Sequence, residues 1–180
     1  MDVKFNLENL FEDKIGKENG IAEDDIKKYD KLFNQCVEKF YKNIDNKIYG
    51  FMELPFLHTD GIKKFVNEKR SKFDNFVVIG IGGSALGNMS VHKALNHPFH
   101  NQLRGKNDLL KIYIMDNVDP DTVSGLLDVI DLDKTLFNVI TKSGSTTETI
   151  ANFMAFIGKL KGEVSDYREH LVFTTDPQKG

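Results

Sequence analysis

A short segment around residue 145 concentrates the side chains that bind compact anions. It lies between an apolar run and a run with helical periodicity, and it reads Ile140-Thr141-Lys142-Ser143-Gly144-Ser145-Thr146-Thr147-Glu148-Thr149. Hydroxyl groups and the free N–H groups of a helix start donate hydrogen bonds, and the helix dipole is positive there. Lys142 adds a full positive charge. The segment therefore predicts a site for the phosphate of a phosphorylated small molecule.

A glycine-rich loop follows an earlier apolar run, Phe76–Ile79, and it reads Gly80-Ile81-Gly82-Gly83-Ser84-Ala85-Leu86-Gly87. Glycines let a chain turn tightly and bring its backbone close to a ligand. The spacing of Gly80, Gly82 and Ala85 also fits a permissive dinucleotide-binding pattern, which requires an acidic residue about 20 positions further on. Asp116 lies 36 positions after Gly80, so the sequence disfavours a nicotinamide cofactor.

Both loops are expected at one edge of a parallel sheet, where they can surround one anion. Each loop follows a predicted strand, and the carboxyl ends of parallel strands share an edge. Ser84 then joins the donors of the second loop: Thr141, Lys142, Ser143 and Thr146. A local alternative is a capping box, since Ser145 and Glu148 have its spacing. We favour the capping box for Ser145 and Glu148, and phosphate binding for the other donors.

The second part of the chain alternates short apolar runs with helical segments. The predicted strands are 76–79, 111–115, 136–140 and 171–173, and the predicted helices between them are 85–95, 120–129 and 147–160. Asp119-Pro120 is typical of a helix start, with a capping carboxylate before a proline. Such alternation indicates an α/β fold, with a parallel sheet covered by helices on both faces.

Residues 1–50 are predicted to form an N-terminal helical extension. Apolar residues recur every three or four positions between Ile26 and Ile44, as in one amphipathic helix. Cys36 lies on this apolar stripe and is expected to be a small core residue. A further helix is expected after Thr59 and Asp60, either of which can cap it.

Composition excludes several classes of protein. A formal charge of −3 gives no support for a nucleic-acid or anionic membrane partner. The single cysteine excludes an internal disulfide framework and fits a reducing compartment. The N-terminus does not resemble a secretory signal, and no apolar run approaches the length of a membrane span. The sequence predicts a soluble cytoplasmic protein.

Three histidines that lie close in the sequence, His92, His97 and His100, invite a metal site. Their spacing matches no standard zinc pattern, no cysteine is near, and Pro98 interrupts the helix. We therefore expect a surface cluster at a helix end and no metal. His58 and His170 stand alone and carry no functional signal.

The two loops together resemble those of the glucose-6-phosphate isomerase family, bacterial type, in its first sugar-isomerase (SIS) domain. The segments 116–120 and 173–176 resemble the family at corresponding places, and the similarity spans about residues 51–180. The resemblance implies a three-layer SIS-type domain over 51–180. It places Gly83 and Ser84 at the substrate, and it places Thr141, Lys142, Ser143 and Thr146 on the phosphate loop. Thr141 stands where serine is usual in the family, and Ser145 stands where threonine is common, so both positions keep a hydroxyl. Ala85 stands where a larger residue is common.

That resemblance implies interconversion of glucose 6-phosphate and fructose 6-phosphate through an enediol, without metal or nucleotide. The family places its glutamate base, arginine, histidine and lysine after the point that corresponds to Gly180, so no catalytic residue is expected in this chain. The chain is expected to hold phosphate without turning over sugar, and the full-length protein is expected to be a homodimer. The alternative is a stand-alone SIS domain that senses a phosphosugar for regulation.

Overall fold

The computed structural model of the chain describes residues 3–103 and 109–178. Two compact units are distinguished, Met1–Thr59 and Asp60–Gly180. The division predicted from sequence, after residue 50, stays a prediction.

The first unit is helical. Its helices are α1 (Glu12–Ile15), α2 (Glu23–Lys27) and α3 (Asp30–Asp45), with 3₁₀ turns at Glu8–Leu10 and Gly50–Phe56. The predicted single stripe from Ile26 is thus divided, since α2 ends three residues before α3 begins. The expectation that Cys36 is a core residue is wrong: Cys36 is exposed, because α3 buries none of its residues.

The second unit alternates helices and strands as the apolar pattern predicts. Its elements are α4 (Asp60–Lys69), β1 (Asn75–Ile79), α5 (Gly83–Leu95), β2 (Lys111–Met115), α6 (Pro120–Val129), β3 (Thr135–Ile140), α7 (Thr147–Glu163) and β4 (Leu171–Thr174). The helix expected after Thr59 is α4, and Asp119 caps α6 as predicted.

All four strands form one parallel sheet in the order β2-β1-β3-β4. The chain therefore leaves β1 towards one side of the sheet for β2, and returns to the other side for β3 and β4. The strand order reverses between β1 and β3. Ligands of open α/β sheets bind outside the carboxyl ends of the strands at such a switch point.

The core lies mainly between the sheet and α6 and α7. Val77, Phe137 and Val139 point to this face, and Phe137 packs against Phe156 of α7 with ring centroids 5.3 Å apart. Burying a phenylalanine completely contributes about 1.5–3 kcal/mol. On the opposite face, α5 packs its buried Ala85 towards the sheet. The predicted α/β arrangement is confirmed.

Two histidines are buried, and for His100 this contradicts the expected surface cluster. The His100 Nε2–H donates to the Leu110 carbonyl (2.9 Å), and its ring packs edge-on against His92. His170 donates from Nδ1 to the Thr135 carbonyl (2.9 Å) and packs on Phe73. Both imidazoles therefore hold local structure together.

Across the ranges 3–103 and 109–178, no group of three or more histidine, cysteine or acidic side chains has the arrangement of a metal site. Within the same ranges, every helix is too short or too polar to cross a membrane.

Candidate functional site

The loop after β1 and the end of β3 are in close contact. A Cβ atom on Gly80 would lie 2.9 Å from the Ser84 Cβ and 3.1 Å from the Ile140 carbonyl oxygen. Only glycine fits there without displacing its neighbours. Glycine at position 80 therefore allows the first loop to pack against the end of β3, from which the second loop begins. The structure thus brings the two predicted loops together at the switch point.

In the first loop, glycine backbone forms the start of α5. Gly82 is the N-cap residue, with a positive φ of 55° that glycine adopts without strain. Gly83 is the first helical residue and is exposed, and Ser84 is half-buried. The Ser84 N–H donates to the Ile81 carbonyl at 3.1 Å. Both predicted residues of this loop therefore lie in the first turn of α5.

The second loop is fixed at its base by the chain that follows β4. The N–H of the buried Thr141 donates to the Thr174 carbonyl (3.1 Å), and the Lys142 carbonyl accepts from the Asp176 N–H (3.3 Å). Gly144, with a φ of 68°, then turns the chain towards α7. The loop is held by backbone bonds, which leaves its side chains for a ligand.

The hydroxyls of this loop bond to one another. Thr141 Oγ1 lies 3.1 Å from Thr146 Oγ1, and Ser143 Oγ lies 2.9 Å from Ser145 Oγ. A hydroxyl hydrogen rotates freely to a new acceptor. These pairs can therefore exchange their mutual bonds for bonds to anion oxygens without moving the backbone.

The predicted capping box at Ser145 and Glu148 is wrong. The N-cap residue of α7 is Thr146, and no side chain of the described residues caps this helix. Helix α7 therefore begins one residue later than a capping box on Ser145 requires, and Ser145 bonds to Ser143 instead. Ser145 thus lies among the candidate hydroxyls of this loop, and the sequence did not indicate this because the spacing of Ser145 and Glu148 also satisfied a local motif.

Within the described part of the chain, α5 and α7 begin at this sheet edge without a side-chain cap, whereas α6 is capped. Asp119 accepts from the N–H groups of Asp121 (3.3 Å) and Thr122 (3.2 Å). A hydrogen bond from the Thr122 hydroxyl, together with these N–H groups, lowers the pKa of the Asp119 carboxyl below its ordinary value. A carboxylate thus occupies the positive end of α6, while the positive ends of α5 and α7 are open to an external anion.

Lys142 adds the full charge. Its side chain is exposed, and it makes no ion pair within residues 3–103 and 109–178. An ammonium group in that position, beside hydroxyls and a helix N-terminus, is suited to a phosphate.

A third loop, residues 116–119 between β2 and α6, is fixed against the first loop. The sequence did not assign this third loop to the site. The Gly80 N–H donates to the Met115 carbonyl at the end of β2 (3.1 Å). Asn152, a buried residue of α7, donates from Nδ2 to the Asn117 carbonyl (2.9 Å). The feature of the sequence that could have indicated this hydrogen bond is Asn152 itself, a polar residue on the apolar face of α7.

Gly83, Lys142 and Ser143 of the two loops are exposed to solvent. One cavity of about 720 Å³ lies between α6 and α7 and reaches Val118 and Asp119 of the loop after β2, and another of about 520 Å³ lies between α4 and the sheet.

Known proteins resemble this chain along most of its length. The sequence profile of the family described as "Phosphoglucose isomerase" matches residues 60–178. Similar relatives include the glucose-6-phosphate isomerases of Carboxydothermus hydrogenoformans, 42% identical over 100% of this chain, and of Rubrobacter xylanophilus, 39% identical over 99% of it. This chain covers 40% of the length of each of these relatives.

Solved structures give the same result. A hypothetical protein from Thermus thermophilus superposes with a TM-score of 0.68 at 31% identity, covering 87% of this chain and 36% of that one. A glucose-6-phosphate isomerase from Chlamydia trachomatis superposes with a TM-score of 0.54 at 34% identity, covering 63% of this chain and 21% of that one. Since the family profile matches well over half of the chain and the relatives align along nearly all of it, the chain belongs to the phosphoglucose isomerase family.

Proposed function

We propose that this chain supplies the phosphate-binding loops of a glucose-6-phosphate isomerase, which interconverts glucose 6-phosphate and fructose 6-phosphate through an enediol. The observation that carries the proposal is the pair of open helix N-termini at the switch point, beside the exposed Lys142 and a loop of hydroxyls. The names of the relatives support the sugar phosphate as the ligand.

Each residue of the proposed site has a separate role. Lys142 supplies charge, and Thr141, Ser143 and Thr146 turn their hydroxyls from each other to the phosphate oxygens. Ser84 and the backbone of Gly83 donate from the start of α5, which the close approach at Gly80 holds against the end of β3. Ser145 joins them through its bond with Ser143.

The phosphate takes no part in the proposed isomerisation, so its binding acts by positioning. Binding energy gained at a remote group holds the reacting carbons in place and raises the rate of the chemical step. None of the residues assigned here is placed to move a proton between sugar carbons, so we assign no catalytic residue and no cofactor to this chain.

A cytoplasmic homodimer and an SIS-type domain over residues 51–180 complete the proposal. The parallel sheet with a phosphate loop at its switch point supports the SIS-type assignment. The location and the dimer stay predictions of the sequence.

The test is Lys142→Ala in the full-length gene product. We expect the Kd for glucose 6-phosphate and the Kd for inorganic phosphate both to rise roughly tenfold or more, because a hydrogen bond to a charged group contributes about 1.5–3 kcal/mol. Isothermal titration measures both constants, and a coupled assay measures KM for isomerisation.

Lys159→Ala is the matched control, since it removes the same charge from α7 at the groove that faces α6. It should leave both constants within twofold of wild type. Equal effects of the two substitutions would show that Lys142 acts only through net charge, and the proposed site would then be wrong.

A further inference from the structure

The loop after β2 carries a carboxylate that nothing in the described fold uses. Asp116 follows the last residue of β2 and is exposed. Its carboxylate makes no hydrogen bond or ion pair with any residue in the ranges 3–103 and 109–178. Asp119, three residues on, is instead engaged by the start of α6. Asp116 is therefore the carboxylate of this loop that is available to a ligand.

The backbone on both sides of Asp116 is fixed. The preceding carbonyl, of Met115, accepts from the Gly80 N–H at 3.1 Å. The following carbonyl, of Asn117, accepts from Asn152 at 2.9 Å, and the Asn117 side chain accepts from the Val118 N–H at 2.9 Å. Asp116 is thus held beside the glycine loop on a backbone bonded to both that loop and α7, which is the preorganisation that a binding residue needs.

The strand order sets how far Asp116 lies from the phosphate loop. β2 and β3 flank β1 on opposite sides, and neighbouring strands are about 4.8 Å apart, so the two outer loops are separated by roughly 10 Å. This distance is similar to the length of a hexose phosphate, measured from its phosphate group to its most distant hydroxyls. A ligand anchored at Lys142 and extended over the glycine loop therefore reaches Asp116 with its sugar end.

The chemistry of a carboxylate selects which end of the ligand it meets. An ionised aspartate only accepts hydrogen bonds and repels a phosphate, whereas sugar hydroxyls donate. We propose that Asp116 binds hydroxyl groups of the sugar and so contributes to selection of a phosphosugar over free phosphate. This inference rests on the proposed function and deepens it, because it assigns the sugar end of the same site.

The experiment compares two ligands in the full-length gene product. Kd values for glucose 6-phosphate and for inorganic phosphate are measured by titration for wild type, Asp116→Ala and Asp116→Asn. We expect Asp116→Ala to raise the Kd for glucose 6-phosphate roughly tenfold and to leave that for phosphate within about twofold, because the lost bond is charge-assisted and contacts only the sugar. Asp116→Asn keeps one acceptor oxygen and should lie between wild type and alanine.

Asp133→Ala is the matched control. It removes an exposed carboxylate from the 3₁₀ turn before β3, at the opposite edge of the sheet, and should change neither constant by more than twofold. Asp116→Asn preserves shape, so it keeps the test valid if the alanine variant does not fold.

The outcomes separate this inference from the proposed function. If wild type binds neither ligand, the proposed function fails and the inference fails with it. If wild type binds both and the ratio of the two Kd values is unchanged in both Asp116 variants, only the inference is overturned. An equal loss of affinity for both ligands is one such outcome, and it would place Asp116 at the phosphate.

Discussion

At the scale of single residues, Gly80 is a tight steric constraint on the candidate site. A Cβ there would meet the Ser84 Cβ at 2.9 Å and the Ile140 carbonyl at 3.1 Å. Gly80→Ala must therefore displace the first turn of α5 or the end of β3. We expect a loss of about 1–3 kcal/mol in the free energy of unfolding, with weaker phosphate binding. Chemical denaturation and phosphate titration of the full-length protein measure the two effects.

Gly125→Ala provides the comparison. Gly125 lies inside α6, and a Cβ there has no neighbour within 4 Å, so alanine should stabilise the helix by about 1 kcal/mol. Phosphate affinity should not change in this variant. If Gly80→Ala and Gly125→Ala change stability and phosphate affinity in the same way, the close approach at Gly80 is not required to form the site.

The site residues illustrate what residue types alone can predict. Donor chemistry predicts Thr141, Lys142 and Ser143 as a group, and the structure places them in one loop at the sheet edge. The sequence assigns Ser145 wrongly because spacing cannot distinguish an N-cap at 145 from one at 146. Asn152 escapes prediction, since its bond partner lies 35 residues away in the sequence.

At the scale of elements, an imidazole at the end of α5 pairs with one in the connection from α5 to β2. His92 accepts at Nδ1 from the Asn96 amide (2.8 Å), and its ring packs edge-on against His100. Desolvation, followed by the charge of His100, lowers the pKa of His92 from its ordinary value of 6.5. The neutral form is therefore favoured in the folded state.

This shift predicts how stability depends on pH. Below pH 6.5 the unfolded chain binds a proton at His92 that the folded chain resists, so stability is complete above 6.5 and falls as the pH decreases towards the lowered folded pKa. We expect His92→Gln to reduce the loss in Tm between about pH 7.5 and about pH 5.5. The exposed His97, varied to glutamine, is the control, and an identical pH slope in wild type and His92→Gln would contradict the prediction.

Element types are predictable because buried parallel strands are nearly continuous apolar runs, such as Val77–Ile79. The strand order is not predictable in the same way, since any of several orders buries the same residues. The switch point, and with it the placement of the loop after β2 beside Gly80, requires the structure. The expectation for His100 is wrong because Pro98, which interrupts the helix, suggests an exposed helix end, whereas the His100 ring bonds to the Leu110 carbonyl.

At the scale of the whole molecule, ligand binding should appear as added stability. A ligand that binds only the folded state at about 100 times its Kd stabilises by about 2.7 kcal/mol. In the full-length protein we expect glucose 6-phosphate to raise Tm by several degrees, and NAD to leave it unchanged, because Asp116 lies too far along the chain for the dinucleotide pattern.

The same measurement in Lys142→Ala links the added stability to the loop. Since that variant removes the cation of the proposed site, the exposed Lys142, the concentration of glucose 6-phosphate needed for a given rise in Tm should increase by the same factor as its Kd. 6-Phosphogluconate, which carries the same phosphate on a different carbon chain, should also stabilise wild type. A rise in Tm with NAD alone would be incompatible with a phosphosugar site and would instead require a dinucleotide across Gly80–Gly83, where the N-terminus of α5 is also open.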